Sequence, residues 1–222
     1  MAKITPKNLL KHNLNGKEEK KITLNNLAEM SSTDNVSDAM KNLYKTNGVV
    51  EGIKPISSSY KIVGRIRTAI TDSGDWGTLI KAIYACNEDE ILFVKCSDDT
   101  KAVWGEMAST AAKLHGLKGT IICGASRDTN EIIELDYPVF SKITRSNAGF
   151  ALNEGAIGSD LFINDKIIKT GDVVFADCDG VVVIPQDKVD EVLAEVNNIK
   201  KFEDDCFAKI KKGQQLDEIL NL

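Results

Sequence analysis

A chain of 222 residues, 42% of them hydrophobic, can bury a sizeable core, and we predict one large domain. Its 33 acidic and 28 basic residues give a net charge of -5, so no general attraction to nucleic acid is expected. The five cysteines form no Cys-x-x-Cys pair, and no stretch reaches the roughly 18 apolar residues of a membrane span, so we predict a cytoplasmic protein with reduced thiols and no membrane contact.

The first half of the chain alternates between helical and strand patterns. Residues 1–33 are rich in Lys, Asn and Glu and are predicted to form an N-terminal arm. A helix is predicted from the apolar spacing between Val36 and Tyr44, after the potential caps Asp34 and Ser37. Further elements are predicted as strands at Tyr60–Ile70, Glu90–Cys96 and Gly119–Cys123 and helices at Trp76–Cys86, Glu106–His115 and Thr129–Leu135. Alternation of this kind favours parallel strand pairing in an α/β domain.

After Pro138 the pattern changes to short strands separated by turn signals. These strands are predicted at Val139–Ile143, Asp160–Ile163, Lys166–Lys169, Val173–Ala176 and Val181–Ile184. Asp177 and Asp179 are interpreted as turn formers before the last of them. The chain then closes with a long helix from Asp187 to about Lys212.

Gly105 is the first residue with a chemical signal, because it follows a strand and a short polar loop and opens a helix. The free backbone N–H groups of residues 105–108 would point outward with the positive end of the helix dipole, which suits a carboxylate ligand. The alternative is an ordinary helix start with a glycine for steric relief.

Arg127 and Asp128 follow the strand at Gly119–Cys123 and place a cation beside a carboxylate. Ligands of open α/β sheets sit at the carboxyl ends of the strands. Taken singly, however, Asp128 is equally explained as a helix N-cap, with Glu131 completing a capping box. Arg127 is equally explained as half of a surface salt bridge. His115, at the end of the preceding helix, is interpreted as a C-terminal capping residue.

The whole stretch resembles the RraA-like family, which includes 4-hydroxy-4-methyl-2-oxoglutarate aldolases, oxaloacetate decarboxylases and the regulator of ribonuclease E activity. The matching motifs are WGE at 104–106, GLKGTIICGASRD ending at Asp128, ELDYPVF at 134–140 and TGDVVFADCDGVVVIP at 170–185. The sequence around Gly74-Asp75-Trp76 most resembles the RraA-like half of archaeal proteins in which that domain is fused to hexulose-6-phosphate synthase. The resemblance implies a swivelling β/β/α domain with a mixed sheet at residues 34–205, followed by a C-terminal helical extension at 206–222.

The resemblance also implies a divalent-metal-dependent lyase that acts on 2-oxo acids through a pyruvate enolate, by retro-aldol cleavage or oxaloacetate decarboxylation. Asp128 would bind Mg²⁺ or Mn²⁺, and Arg127 would pair with the 2-oxo acid. The substrate carboxylate would be held at the helix start by Gly105, Glu106, Met107 and Ala108. Glu106 and a water on the metal are the candidates for the base. The family's ring-shaped trimers imply a homotrimer or a hexamer.

Two other functions remain open at this stage. The chain could be a non-enzymatic regulator that binds a protein partner such as a ribonuclease. It could also be a Schiff-base aldolase, since Lys95 lies at a strand end, although no lysine stands in a recognisable motif. Two departures from the family pattern are the turn Asn87-Glu88-Asp89, usually Pro-Gly-Asp, and Ser126, usually apolar.

Overall fold

The computed structural model describes residues 31–222. Its helices are α1 (Thr33–Tyr44), α2 (Gly77–Ala85), α3 (Glu106–Leu114), α4 (Thr129–Glu134), α5 (Val189–Lys211) and α6 (Leu216–Leu220), with a 3₁₀ turn at Gln186–Lys188. The strands of the first half are β1 (Lys54–Pro55), β2 (Ile62–Thr71), β3 (Ile91–Cys96), β4 (Ala102–Trp104), β5 (Gly119–Ser126) and β6 (Val139–Thr144). Those of the second half are β7 (Ala156–Ile157), β8 (Leu161–Ile163), β9 (Lys166–Ile168), β10 (Val173–Asp177) and β11 (Gly180–Ile184).

A nine-stranded mixed sheet forms the centre of the fold, with β8 and β9 as a separate hairpin. The main path runs β1-β6-β5-β3-β2-β10-β11, while β4 pairs with β5 and β7 pairs with β2. Strands β2, β3, β4, β5 and β6 pair in parallel, and the remaining pairs of the sheet are antiparallel. The predicted α/β domain with a mixed sheet flanked by helices is therefore confirmed.

Three clusters of buried apolar side chains hold the helices and the β8–β9 hairpin against the sheet. Helices α2, α3 and α4 pack on one face of the parallel strands, around Trp104 and Ile122, while the β8–β9 hairpin covers Phe93 and Phe140 on the other. Helices α1 and α5 cover β10 and β11. Strand β5 is buried along its whole length, as expected for a central parallel strand that is covered on both faces.

Two predicted boundaries, the start of α1 and the end of β5, differ from those in the structure. Helix α1 begins at Thr33, and its N-cap is Ser32, which shares a capping box with Asn35, so the predicted caps Asp34 and Ser37 are wrong. Strand β5 continues past Cys123 to Ser126, because β4, which was not predicted, pairs with its last residues. The second shift brings Arg127 directly to the end of the strand.

Most of the predicted N-terminal arm, residues 1–30, lies outside the described part of the chain. At the other end, α5 runs without interruption across the predicted boundary at residue 205. The division of the chain at residues 33 and 205 stays a prediction. Among the helices of residues 31–222, none is long and apolar enough to cross a membrane.

Candidate functional site

Strands β4 and β5 bring the glycine-led helix start and the Arg-Asp pair together. The two strands are parallel, with Ala102 opposite Ala125 and Trp104 opposite Ser126, so both end at the same edge of the sheet. The backbone N–H of Arg127 donates to the carbonyl of Trp104 at 2.9 Å. Residues separated by more than twenty positions in the sequence therefore start their loops side by side.

Asp128 directs its carboxylate to the start of α3 and not to its own helix. It occupies the N-cap position of α4, but its side chain makes no capping hydrogen bond there, and its backbone is left-handed with φ 57°. Its Oδ2 accepts the backbone N–H of Glu106 at 3.0 Å and lies 3.5 Å from Nε of Arg127. The interpretation of Asp128 and Glu131 as a capping box is therefore wrong.

Gly105 is required at the N-cap of α3 for steric reasons. Its backbone is extended, with φ -156°, so any residue could adopt its conformation. A Cβ atom there would overlap Oδ2 of Asp128 and would lie 3.2 Å from Cγ and 3.3 Å from Nε of Arg127. The missing side chain therefore lets Arg127 and Asp128 lie against the helix start.

Gly105→Ala should accordingly displace Arg127 and Asp128 with little effect on folding. We expect kcat/KM for the reaction proposed below to fall by about 10²-fold, since a misplacement of about 1 Å in an active site can have that effect. Gly213→Ala is the matched control, because Gly213 has φ 89° and lies in the turn after α5. The control should cost about 1 kcal/mol of stability and leave kcat/KM unchanged. Equal kcat/KM values for the two variants would contradict the steric role of Gly105.

The start of α3 offers further donors beside Asp128. The first N–H groups of a helix have no carbonyl partner within it, and Ser109 is the first residue of α3 to donate to this turn, to Gly105 at 3.0 Å. The Glu106 N–H is already engaged by Asp128, so those of Met107 and Ala108 remain for an anion. The structure thus places the predicted residues Gly105, Glu106, Met107 and Ala108 at one end of α3, next to Arg127 and Asp128.

An open groove of about 530 Å³ runs from this helix start along the outer side of α3. Its lining is Tyr84, Glu106, Met107, Thr110, Ala111, Leu114 and His115. Met107 and Leu114 are 87% and 85% exposed, which is unusual for large apolar side chains. His115 closes the far end as the C-cap of α3, and its Nε2 lies 3.2 Å from the carbonyl of Cys86. The predicted C-cap position of His115 is thus confirmed, while its side chain contacts the end of α2.

Asp128 has the chemistry of a ligand for a hard divalent cation. Its side chain is 34% exposed, and its Oδ1 accepts no hydrogen bond from any residue between 31 and 222. Mg²⁺ is commonly held in proteins by one or two carboxylates together with waters and substrate oxygens. The residues present therefore fit a magnesium-type ion shared with a chelating substrate.

A second acidic grouping lies elsewhere, at the β10–β11 turn. Asp177, Cys178 and Asp179 form the only group of three potential metal-ligand side chains within the described residues. Both oxygens of Asp177 are already used, since they accept the N–H and hydroxyl of Thr33 at 2.9 and 2.7 Å, as well as the N–H of Asp179. Asp177 and Cys178–Gly180 form a tight hairpin turn, as predicted.

Lys95 donates to the carbonyl of Phe162 at 2.6 Å, so its ammonium ties β3 to β8. This contact gives Lys95 a structural role and offers no support for a Schiff-base mechanism.

The role of Asp75 was not predicted from the sequence. Asp75 follows β2 at the same edge of the sheet, is 1% exposed, and accepts backbone N–H groups from a loop more than seventy residues further along the chain. Its position after a strand and its place in the Gly74-Asp75-Trp76 stretch were the available signals, and neither indicates its partners, which come from a loop without a periodic pattern.

Comparisons with known proteins show the family to which the chain belongs. A model of the RraA-like family, described as Aldolase/RraA, matches residues 33–183. An uncharacterised protein of Methanocaldococcus jannaschii is 38% identical over 177 residues, which cover 78% of this chain and 85% of that protein. A protein of Halalkalibacterium halodurans, provisionally named a 4-hydroxy-4-methyl-2-oxoglutarate aldolase, is 32% identical over 171 residues, 77% of this chain and 79% of that protein.

The fold also recurs in a solved structure from Streptomyces coelicolor, RraAS2, described as an unusual member of the RNase ES inhibitor RraA protein family. It superposes with a TM-score of 0.73 over 85% of this chain and 96% of that one, at 20% sequence identity. At this identity the likeness shows a common fold alone.

Proposed function

This chain belongs to the RraA-like family, and from that premise we propose that it is a divalent-metal-dependent lyase that cleaves a C–C bond of a 2-oxo acid. The reaction would be the retro-aldol cleavage of a 4-hydroxy-2-oxo acid, as in a class II 4-hydroxy-4-methyl-2-oxoglutarate aldolase, or the decarboxylation of oxaloacetate. The observation that carries the proposal is the position of the Asp128 carboxylate, which faces the α3 start and Arg127 and does not cap α4.

The α3 start would bind the carboxylate of the substrate. The N–H groups of Met107 and Ala108 and the positive end of the helix dipole favour an anion at this point. The guanidinium of Arg127, held beside Gly105, can donate two parallel hydrogen bonds to the planar 2-oxo acid. Binding at both points would fix the 2-oxo group next to Asp128.

Arg127 would also act in the bond-breaking step. When the C–C bond breaks, the electron pair of that bond passes to the pyruvate fragment. Negative charge then develops on the 2-oxo oxygen as the enolate forms. A fixed cation near that oxygen stabilises this charge without further reorganisation. An ion held by Asp128 would supply Lewis-acid polarisation of the same oxygen.

Glu106 is our candidate for the base of the retro-aldol reaction. The proton of the 4-hydroxyl must leave as the C–C bond breaks, whereas decarboxylation forms the same enolate with loss of CO₂ and needs no base. The Glu106 side chain is exposed at the mouth of the site, while its backbone N–H binds Asp128. A base here would be used by one of the two reactions only.

Glu106→Gln should therefore separate the two reactions. The substitution keeps the backbone contact to Asp128 but removes the base, so kcat for retro-aldol cleavage should fall by about 10²–10⁴. Decarboxylation of oxaloacetate should change less than threefold, which makes it the internal control. Parallel losses in both reactions, measured as pyruvate release, would show that Glu106 binds substrate and does not act as a base.

We also propose that the chain assembles as a homotrimer or a hexamer. The exposed Met107 and Leu114 beside the site are of the kind that a second copy covers. Light scattering at micromolar concentration should give a mass three or six times 24.3 kDa. A monomeric mass would contradict the proposed assembly, and the exposed Met107 and Leu114 would then not be covered by a second copy.

One assay tests the proposed function directly. Pyruvate release would be measured from oxaloacetate and from a panel of 4-hydroxy-2-oxo acids, with Mg²⁺ or Mn²⁺ and with chelator. We expect cleavage of at least one substrate, dependent on the added ion. No pyruvate from any of them would favour the other class, a regulator that binds a protein partner. Full activity in chelator would remove the metal mechanism, and borohydride trapping would then test a lysine.

A further inference from the structure

Residues 145–155, here called the strap, run along the carboxyl edge of the sheet beside the site. The strap begins where the N–H of Arg145 donates to the carbonyl of Ser126 at 2.8 Å, one residue before Arg127. It then passes β4, where the N–H of Ala102 donates to the carbonyl of Asn147 at 2.8 Å. Strand β4 is thus held between β5 on one side and the strap on the other.

The far end of the strap is held by one buried carboxylate at residues 152–154 and by a backbone pair at Phe150, which donates to Gly74 at 2.7 Å and accepts from Trp76 at 3.0 Å. Oδ1 of Asp75 accepts the N–H groups of Leu152 and Asn153 at 3.0 and 2.9 Å, and Oδ2 accepts that of Glu154 at 2.9 Å. The hydroxyl of Thr78 donates to Oδ2 at 2.8 Å. Burial alone would raise the pKa of Asp75, but these donors outweigh it and hold the pKa well below its usual range. The anchor therefore stays charged at any pH near neutrality.

Three glycines show that the strap packs closely against the end of β2 and the turn that follows it. A Cβ at Gly149 would overlap the backbone of Gly74, and one at Gly155 would overlap the carbonyl oxygen of Ile70. A Cβ at Gly77 would lie 2.8 Å from the backbone of Ala151. Backbone packs against backbone at all three points, so no side chain separates the strap from this surface.

We propose that Asp75 is a positioning residue for the site: it fixes the strap, the strap fixes β4, and β4 sets the position of Gly105 and the α3 start. Strand β4 has three residues, and its outer neighbour is the strap. If Asp75 releases residues 152–154, the strap keeps its backbone bonds at Arg145, Asn147 and Phe150, and we expect its pairing with β4 to loosen. The catalytic consequence rests on the proposed function, whereas the mechanical link from Asp75 to β4 does not.

Asp75→Asn is the variant that tests this link. It keeps the shape of the side chain but turns one acceptor oxygen into an NH₂ group that faces backbone donors. Asp172→Asn is the matched control, because Asp172 is also buried, at 6% exposure, and accepts the N–H groups of Lys169 and Gln186 at 2.8 and 3.0 Å. It lies in the turn between β9 and β10, away from the strap.

Two measurements separate positioning from mere stabilisation. By hydrogen–deuterium exchange, the peptide covering residues 101–104 should exchange at least tenfold faster in Asp75→Asn and at the wild-type rate in Asp172→Asn. In the pyruvate assay, well below the melting temperature, kcat should fall by about 10–10² in Asp75→Asn, because a small displacement of active-site groups has an effect of this size. In Asp172→Asn both kcat and KM should stay within twofold of wild type.

The outcomes are distinct. Unchanged exchange at residues 101–104, or unchanged kcat despite faster exchange, would overturn the proposal. If the wild type cleaves no 2-oxo acid, the proposed function fails, and the exchange data alone still decide the link to β4. Should Asp75→Asn not fold, Thr78→Val weakens the same anchor more mildly, since it removes the hydroxyl that donates to Asp75 and accepts the N–H of Gly155 at 2.8 Å.

Discussion

Arg127→Lys should lower kcat for 2-oxo acid cleavage by about 10²–10³, which corresponds to about 2.7–4 kcal/mol of transition-state stabilisation. A lysine keeps the positive charge, but it acts as a point charge where the guanidinium donates two parallel hydrogen bonds. If Arg127 faces the oxygen on which charge develops, its loss weakens an interaction that strengthens in the transition state. Both kcat and kcat/KM should then fall, with the melting temperature unchanged.

A purely structural Arg127 would give a different result by orders of magnitude. Its side chain is 44% exposed and its Nε lies 3.5 Å from Asp128, so as a surface ion pair it would contribute about 0–1 kcal/mol of stability and nothing to the rate. Arg65→Lys is the control, because Arg65 is also exposed and donates one hydrogen bond, to the carbonyl of Gly171 at 3.1 Å. Near-normal turnover in Arg127→Lys would remove Arg127 as a substrate ligand.

The arrangement of helices and strands could be predicted because most elements carry a clear period. From Tyr60 to Leu135 the sequence alternates between strand and helix patterns, which predicts parallel strands. Ligands of parallel sheets bind at the carboxyl ends of the strands, and Arg127 does follow such an end. Strand β4 escaped prediction because three residues are too few to show a period. The contact between Gly105 and Arg127 could thus be expected only from the family resemblance.

Side-chain direction was the second point beyond the reach of the sequence. At Asp128 the local pattern favoured a capping box with Glu131, and the position relative to α4 was predicted correctly. The left-handed backbone and the nearby N–H of Glu106, which belongs to another helix, turn the carboxylate away. A similar non-local effect holds at Ser126, where the departure from an apolar residue is accommodated by a buried hydroxyl contact of 2.8 Å with Ser141.

The strap shows the same limit on a larger scale. Residues 145–155 have no helical or strand period, and their position is set by Asp75 and by close backbone contacts at glycines. The sequence shows a long loop with two glycines but not the surface that the loop follows. Irregular segments of this kind are fixed by a few long-range contacts, which appear only once the fold brings the partners together.

Asp128→Asn distinguishes a metal ligand from a residue that only caps the start of α3, where Asp128 accepts the N–H of Glu106. Asparagine is as good an N-cap as aspartate and tolerates the left-handed backbone that residue 128 adopts. A structural role therefore predicts a change in stability of about 0.5 kcal/mol or less and a normal rate. A neutral amide, by contrast, is a weaker ligand for a hard divalent cation than a carboxylate, and it can no longer pair with Arg127.

If the chain is the proposed lyase, Asp128→Asn should lower kcat/KM by about 10³-fold, which is equivalent to about 4 kcal/mol. Excess Mn²⁺ should restore part of this loss if the variant still binds the ion weakly. Titration of Mn²⁺ followed by its electron paramagnetic resonance signal would measure that affinity without turnover. Glu131→Gln is the control, since Glu131 lies in the same first turn of α4 and should leave both affinity and rate unchanged. Wild-type Mn²⁺ affinity in Asp128→Asn would place the ion elsewhere, and the acidic turn of Asp177 to Asp179 would be the next position to test.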